Sequence, residues 1–340
     1  MKVLLLTRKY AGTDGHSNLM NTVAFALIRK GIEVKIAAFN FIQQPPQEIP
    51  TLKLSWSKHL FSFGTVAREF DIIHNFQTLM NYFSPFGKKP FIFHYQGAGT
   101  NLQIVNLRIA GLICRKSVQK YLTLSTVSAN KLYKLIGAKS EIVPLAIDPA
   151  FFNYIVGGER KKGQPHLLAV TRMMKYKRND ELLRAFKKLL SIYPEAFLQI
   201  VGNGPQLDET KKLTDELGIS SKVEFLGLVN RDEILLKYAS CDILVSTSRL
   251  EAFPHPFLEA MALGKPIVAS NIPVHLEIIQ ESQAGKNYRV DDVDDFVQSI
   301  IDVFRNKLEY EGKARNYATK WSVDNLGSKL IGIYNEILRN

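Results

Sequence analysis

The chain has 340 residues, 46% hydrophobic and 22% charged, with a formal net charge of +12. That is the composition of an ordinary globular protein, large enough for two cores, and it excludes disordered and collagen-like chains. No apolar run approaches the ~20 residues of a membrane span, and Cys114 and Cys241 stand isolated, which points to a reducing cytoplasm.

In chain order, the opening Lys2–Thr7 is too short for a signal peptide and reads as a first strand. Further strands are expected at Glu33–Phe39, Asp71–His74, Phe91–His94, Leu122–Val127 and Glu141–Val143. Asn18–Lys30, Asn101–Lys120 and Ala129–Ile136 have helical spacing, with Gly31 and Gly137 as stop signals. The polar stretch Gly157–Gln164 is the best linker candidate. The alternation restarts with strands at Leu167–Thr171, Phe197–Val201, Val223–Leu226, Ile243–Ser246 and Pro266–Ala269. Helices are expected at Glu181–Leu190, Gln206–Leu217, Arg231–Tyr238 and Asp294–Phe304. Strands alternating with helices argue for α/β units with parallel sheets, and two such series argue for two domains facing a central cleft.

The charge is uneven. Residues 1–150 hold 18 Lys/Arg against 7 Asp/Glu, and residues 151–340 hold 26 against 25. Nearly all the excess sits in the first half. It serves either solubility or an anionic partner such as a membrane face, a phospholipid-linked acceptor or nucleic acid, although no nucleic-acid motif is recognisable.

Four constellations fall at strand ends, where open parallel sheets bind ligands. Arg172 and Lys177 follow the strand Leu167–Thr171; two cations on one loop can close on a pyrophosphate, or form a solvated basic turn. Gly202-Asn-Gly-Pro205 is a βα turn whose glycines let the backbone approach a phosphate, a pattern any doubly wound protein can show. Glu251 and Glu259 flank a loop-to-helix junction, with Pro254 and Pro256 in the loop and first turn and Gly264 past the helix end. Such a pair can grip two ends of a polyhydroxylated ligand; the plainer readings are an exposed loop acid and a dipole-complementing carboxylate. His94 ends the strand Phe91–His94 beside Gly97 and Gly99, and is either a catalytic or a structural histidine.

The order and spacing of these residues resemble the retaining glycosyltransferases of family 4. The motifs that carry the resemblance are Arg172…Lys177, Gly202–Pro205, Phe225-Leu-Gly227 and Ser248-Arg-Leu-Glu251 through Glu259-Ala-Met-Ala-Leu-Gly-Lys-Pro266. The tail, Trp321-Ser-Val-Asp-Asn-Leu326, resembles the family's last segment. The resemblance implies a GT-B fold of two Rossmann-like, doubly wound domains: an acceptor-binding domain at 1–156, a nucleotide-sugar domain at 165–318, and a C-terminal helix at 319–340 crossing back to the first. It implies transfer of a sugar from a UDP- or GDP-sugar to a glycan or lipid-linked acceptor with retained configuration and no metal. Arg172 and Lys177 would hold the diphosphate, Glu259 the ribose, Glu251 the transferred sugar, and His94 would sit by the anomeric carbon. Gly15, Gly202, Gly204, Leu226 and Phe253 would line the donor.

The sequence departs from the family at Ala11-Gly-Thr-Asp-Gly-His16, where two adjacent glycines are usual, and at Pro254, where many members have Gly. The rival readings are an epimerase or hydrolase of the same architecture and a non-catalytic glycan- or membrane-binding relative. A dinucleotide oxidoreductase is disfavoured, because no Gly-x-Gly-x-x-Gly follows Lys2–Thr7. In Asn101–Tyr121, Leu102, Val105, Ile109 and Ile113 share one helical face and Arg108 and Arg115 another. That helix either packs its apolar face on the core or lies against anionic headgroups at a membrane, in a cytoplasmic enzyme peripheral to it.

Overall fold

The computed structural model describes residues 1–12, 15–55, 63–97, 100–154 and 164–339. Residues 13–14, 99 and the linker stretch 157–163 lie outside them. The chain divides into two compact units: Met1–Ala146 with Trp321–Asn340, and Ile147–Lys320.

Unit 1 is built on seven parallel strands: β1 (Lys2–Tyr10), β2 (Glu33–Phe41), β3 (Thr51–Lys53), β4 (Ile72–Asn75), β5 (Phe91–Tyr95), β6 (Lys120–Thr123) and β7 (Glu141–Ile142). Their order is β3-β2-β1-β4-β5-β6-β7, so the winding reverses between β1 and β4. All five residues of β5 are buried, as expected of a central strand covered on both faces. The helices are α1 (Gly15–Ile28), α2 (Phe63–Ala67), α3 (Ser84–Gly87), α4 (Asn101–Ile113) and α5 (Thr126–Ile136). Thr100 and Gln103 form a capping box that starts α4. The strand expected at Leu122–Val127 stops at Thr123, because the Ser125 hydroxyl accepts from the Ser128 amide and caps α5. The helix expected over Asn101–Lys120 ends at Ile113.

Unit 2 has six parallel strands: β8 (His166–Val170), β9 (Phe197–Val201), β10 (Val223–Gly227), β11 (Ile243–Ser246), β12 (Ile267–Ser270) and β13 (Gly285–Tyr288). The order is β10-β9-β8-β11-β12-β13, with the reversal between β8 and β11. Its helices are α6 (Pro149–Asn153), α7 (Asn179–Leu190), α8 (Leu207–Glu216), α9 (Arg231–Ser240), α10 (His255–Ala262), α11 (Pro273–Ser282), α12 (Val293–Arg305) and α13 (Lys307–Thr319). Leu183, Phe186, Ile200, Val245, Phe296 and Ile300 anchor its core. The first unit ends at Ala146 rather than 156. Phe151 of α6 packs edge-on against Tyr238, and Asp148 pairs with Arg231, which ties this segment to unit 2.

The last helix, α14 (Val323–Arg339), belongs to unit 1. Tyr334 inserts beside His74, Arg29 pairs with Asp324 at 3.2 Å, and Lys329 Nζ donates to the Ile142 carbonyl at 2.6 Å. Gly327 rides on Ala26, leaving no room for a side chain there. These two units of parallel sheet constitute a GT-B fold.

Candidate active site

In unit 2 the expected residues collect at the carboxyl ends of β8, β9, β10 and β11, around the strand-order reversal. Arg172 lies in the turn after β8, exposed, and its guanidinium has no partner among the described residues. Lys177 ends the short helical turn that follows. Its ammonium donates to Glu251 Oε1 and lies 5.6 Å from the Tyr176 ring. Glu251 reaches it from the loop after β11, and both side chains are mostly shielded from solvent. An ammonium has three N–H donors, so this pairing leaves donors for an anionic ligand.

Glu259 sits one turn inside α10. Its Oε2 accepts from Tyr238 Oη at 2.8 Å, and its Oε1 lies 3.2 Å from His255 Nδ1. Burial, reinforced by the nearby Glu259 charge, pushes the Tyr238 phenol well above its ordinary range, so it remains a donor. Each carboxylate oxygen retains a second lone pair for hydroxyl groups. Phe253, before α10, and Leu226, in β10, are half-buried.

Gly202 and Gly204 are required by the chain itself. A Cβ on Gly202 would sit 1.8 Å from the Thr171 carbonyl oxygen, and one on Gly204 would sit 2.6 Å from that of Met173. The two turns interlock through Met173 N→Asn203 O (3.0 Å) and Gln206 N→Met173 O (2.9 Å), and Gly202 N donates to Gly227 O. The glycines therefore let the turn after β9 press against the turn that carries Arg172.

A charged scaffold that sequence reasoning missed holds these loops. Arg249 bonds both Glu181 and Asp291; Arg178 bonds Asp291 at 3.1 Å; Tyr288 Oη donates to Glu181 Oε1 at 2.8 Å. Thr247 Oγ1 donates to the Lys177 and Arg178 carbonyls, and Arg249 N to Tyr176 O. The Glu251 loop is thus laced to the Lys177 turn. The one available signal was Arg249 inside the Ser248–Glu251 motif. Behind it, His275 Nδ1 faces Ser270 while burial lowers its pKa to about 3.

In unit 1 the structure corrects the reading of His94. Its side chain is fully buried. Nε2 lies 3.0 Å from the Val143 carbonyl, which can only accept, so Nε2 carries the proton. Nδ1 then accepts from His74 Nε2 at 3.3 Å, and His74 Nδ1 accepts from Tyr334 Oη at 2.7 Å. The ordered chain Tyr334→His74→His94→Val143 uses both nitrogens of each ring. Burial lowers the pKa of His94 to about 4, and burial plus the neighbouring His94 holds that of His74 well below its usual range. His94 is a structural residue, not one placed to meet an anomeric carbon.

Gly15 is the exposed first residue of α1, and no atom lies within 4 Å of where its Cβ would be. Beside it stands a group the sequence reading did not single out. His16 Nε2 lies 2.8 Å from Thr7 Oγ1, and His16 Nδ1 lies 3.2 Å from Gln96 Oε1. This set spans the ends of β1 and β5, the latter two residues beyond His94. Among the described residues no group of three His, Cys, Asp or Glu could hold a metal ion.

The fold is that of a GT-B protein, with polar groups gathered at the strand ends where open parallel sheets bind ligands. Residues 153–321 match the model of the family of glycosyl transferases group 1. An uncharacterized glycosyltransferase of Methanocaldococcus jannaschii is 33% identical over 173 residues, covering 49% of this chain and 44% of that protein. The GDP-mannose-dependent alpha-(1-6)-phosphatidylinositol monomannoside mannosyltransferase of Mycobacterium tuberculosis is 31% identical over 185 residues, covering 51% and 47%. The match thus spans about half the length of these relatives. HepE of Anabaena, solved in complex with UDP and glucose, superposes with a TM-score of 0.82 at 17% identity, over 99% of this chain and 100% of that one.

Proposed function

We propose that the protein is a retaining glycosyltransferase that moves a sugar from a UDP- or GDP-sugar to a glycan or lipid-linked glycan, without a metal ion. The observation that carries this reading is the pairing of Lys177 with Glu251 at the strand-order reversal of unit 2, with Arg172 in the adjoining turn and without a partner among the described residues. Cleaving a glycosyl–phosphate bond leaves negative charge on the departing diphosphate. Arg172 and Lys177 meet that charge, Glu251 holds hydroxyls of the transferred sugar, and Glu259, oriented by Tyr238, holds the ribose. The acceptor hydroxyl attacks the anomeric carbon on the face that the diphosphate leaves, and its proton passes to the departing phosphate oxygen. Two cations, Lys177 held by Glu251 and Arg172 on the adjoining turn, supply the neutralisation for which other transferases use a divalent ion. The names of the similar proteins support the donor class: one is GDP-mannose-dependent, and one was solved with UDP and glucose. The mannosyltransferase is named for a phosphatidylinositol monomannoside, which supports a lipid-linked acceptor here.

A thermal-shift panel of UDP- and GDP-sugars on the wild type and Lys177→Ala tests binding. Proton NMR of the product formed in excess EDTA tests stereochemistry and metal use. A donor that stabilises the wild type alone and yields a retained linkage in EDTA is the expected result. An inverted product, or activity abolished by EDTA and restored by Mg²⁺, overturns the corresponding part. Turnover of donor without any acceptor would favour the epimerase or hydrolase reading.

A further inference from the structure

Helix α4 turns its small-residue side inward. Leu107, Ala110 and Gly111 are its buried residues, and Gly111 lets Ile136 of α5 approach to where a Cβ would meet Ile136 Cγ2 at 2.7 Å. The opposite side carries Leu102, Val105, Ile109, Leu112 and Ile113, which are 42–83% exposed. At helical spacing these five fall within an arc of roughly 100°. The core-packed reading of this apolar face is therefore wrong: the stripe points into solvent.

The surroundings are cationic. Arg108, Arg115 and Lys116 are exposed and form no ion pair among the described residues. Between Asp71 and Glu141 the sequence contains no Asp or Glu, and nine Lys or Arg. Unit 1 as a whole holds 20 Lys/Arg against 8 Asp/Glu, while unit 2 holds 24 of each. The entire net charge of the protein sits on the unit that bears the stripe.

We propose that α4 is an interfacial anchor that beds its apolar stripe into an anionic lipid bilayer, with Arg108, Arg115 and Lys116 on the headgroups. Apolar residues flanked by unpaired cations match a surface that is oily below and negative above. A second copy of the chain is a poor occupant, because it would oppose two acid-free cationic faces. The 13-residue helix is about 20 Å long, too short to cross a bilayer core of ~30 Å, so it lies in the plane. No described helix is long and apolar enough to span a membrane. This inference does not rest on the transfer chemistry, and either can fail alone.

The experiment is vesicle co-sedimentation of the full chain at low and high salt. The two compositions are phosphatidylcholine alone and phosphatidylcholine with one-third phosphatidylglycerol. The variants are Leu112→Glu/Ile113→Glu and Arg108→Gln/Arg115→Gln/Lys116→Gln, each checked by its melting temperature. The wild type is expected to prefer the anionic vesicles by tenfold or more, with salt weakening the binding. The charge variant loses roughly fivefold per cation removed, and the apolar variant loses binding to both compositions. Wild-type protein left in the supernatant with both vesicles overturns the proposal, as does equal binding by the variants. Light scattering without lipid that shows a dimer dissociated by Leu112→Glu/Ile113→Glu assigns the stripe to self-association and also overturns it.

Discussion

Gly202→Ala tests how the fold of unit 2 sets its site. Gly202 has φ +134°, and its added Cβ would lie 1.8 Å from the Thr171 carbonyl oxygen, where real Cβ contacts do not fall below 3.0 Å. The atom it meets is backbone, so no side chain can swing away. The turn after β8 must retreat, straining Met173 N→Asn203 O (3.0 Å) and Gly202 N→Gly227 O (2.7 Å). The backbone conformation costs ~1–3 kcal/mol, and one lost hydrogen bond adds ~1 kcal/mol. At ~2–4 °C per kcal/mol for a unit of this size, the melting temperature falls by roughly 5–15 °C. Because Arg172 rides on the displaced turn, a shift of ~1 Å lowers turnover by roughly 10² even in the folded fraction. Gly218→Ala is the control: it too has positive φ (+69°), but nothing lies within 4 Å of its Cβ. Circular-dichroism melts and turnover measured well below the transition give the two readouts. If Gly202→Ala melts with Gly218→Ala and transfers sugar at the wild-type rate, the interlocked turns do not position Arg172.

Arg172→Ala or Lys177→Ala should each lower kcat by ~10²–10³ with melting nearly unchanged, read by initial rates at saturating donor. His94→Ala leaves the Val143 carbonyl and the His74 N–H unpaired in the core. It should cost ~2–5 kcal/mol in urea melts, while kcat per folded molecule stays within a few-fold. Tyr238→Phe frees Glu259 to swing, so the donor KM should rise more than kcat falls. His74, His94 and His275 all have pKa values lowered by burial, the latter two to about 4 and about 3. The unfolded chain binds these protons first, below pH ~6.5, so stability falls as pH drops from there toward 4. Each group contributes a slope of ~1.4 kcal/mol per pH unit, and urea melts of wild type against His94→Ala from pH 7 to 4.5 should show the slope shrink by about one such step.

The parallel strands were legible because β1, β5, β8 and β11 are nearly continuous apolar runs buried on both faces. The short edge strands β3 and β13 were not, because Thr51-Leu-Lys53 and Gly285-Lys-Asn-Tyr288 carry no such run. The positions of Arg172, Lys177, Glu251 and Glu259 follow from strand-end reasoning, since each lies just past a strand or at the following helix. The scaffold of Glu181, Arg249 and Asp291 does not, because its partners lie 42 to 113 residues apart and meet only once the sheet order is known. For α4, spacing identified the apolar stripe, but Gly111 decided which side packs, through a close approach that periodicity cannot see.

His94 marks the boundary of strand-end reasoning most sharply. It is the fourth residue of β5, a strand whose side chains are all buried, so a polar residue there must find its partners inside. His74 occupies the neighbouring strand two ladder positions before it, and Tyr334 arrives from the far end of the chain. A polar side chain reaches the sheet's ligand-binding end only after the backbone leaves the ladder, as Gln96 does one residue past β5. The same rule puts Arg172 two residues past β8 and Glu251 five past β11. By that rule His16, beyond β1 and against Gln96, stands outside the ladder, whereas His94 stays within it.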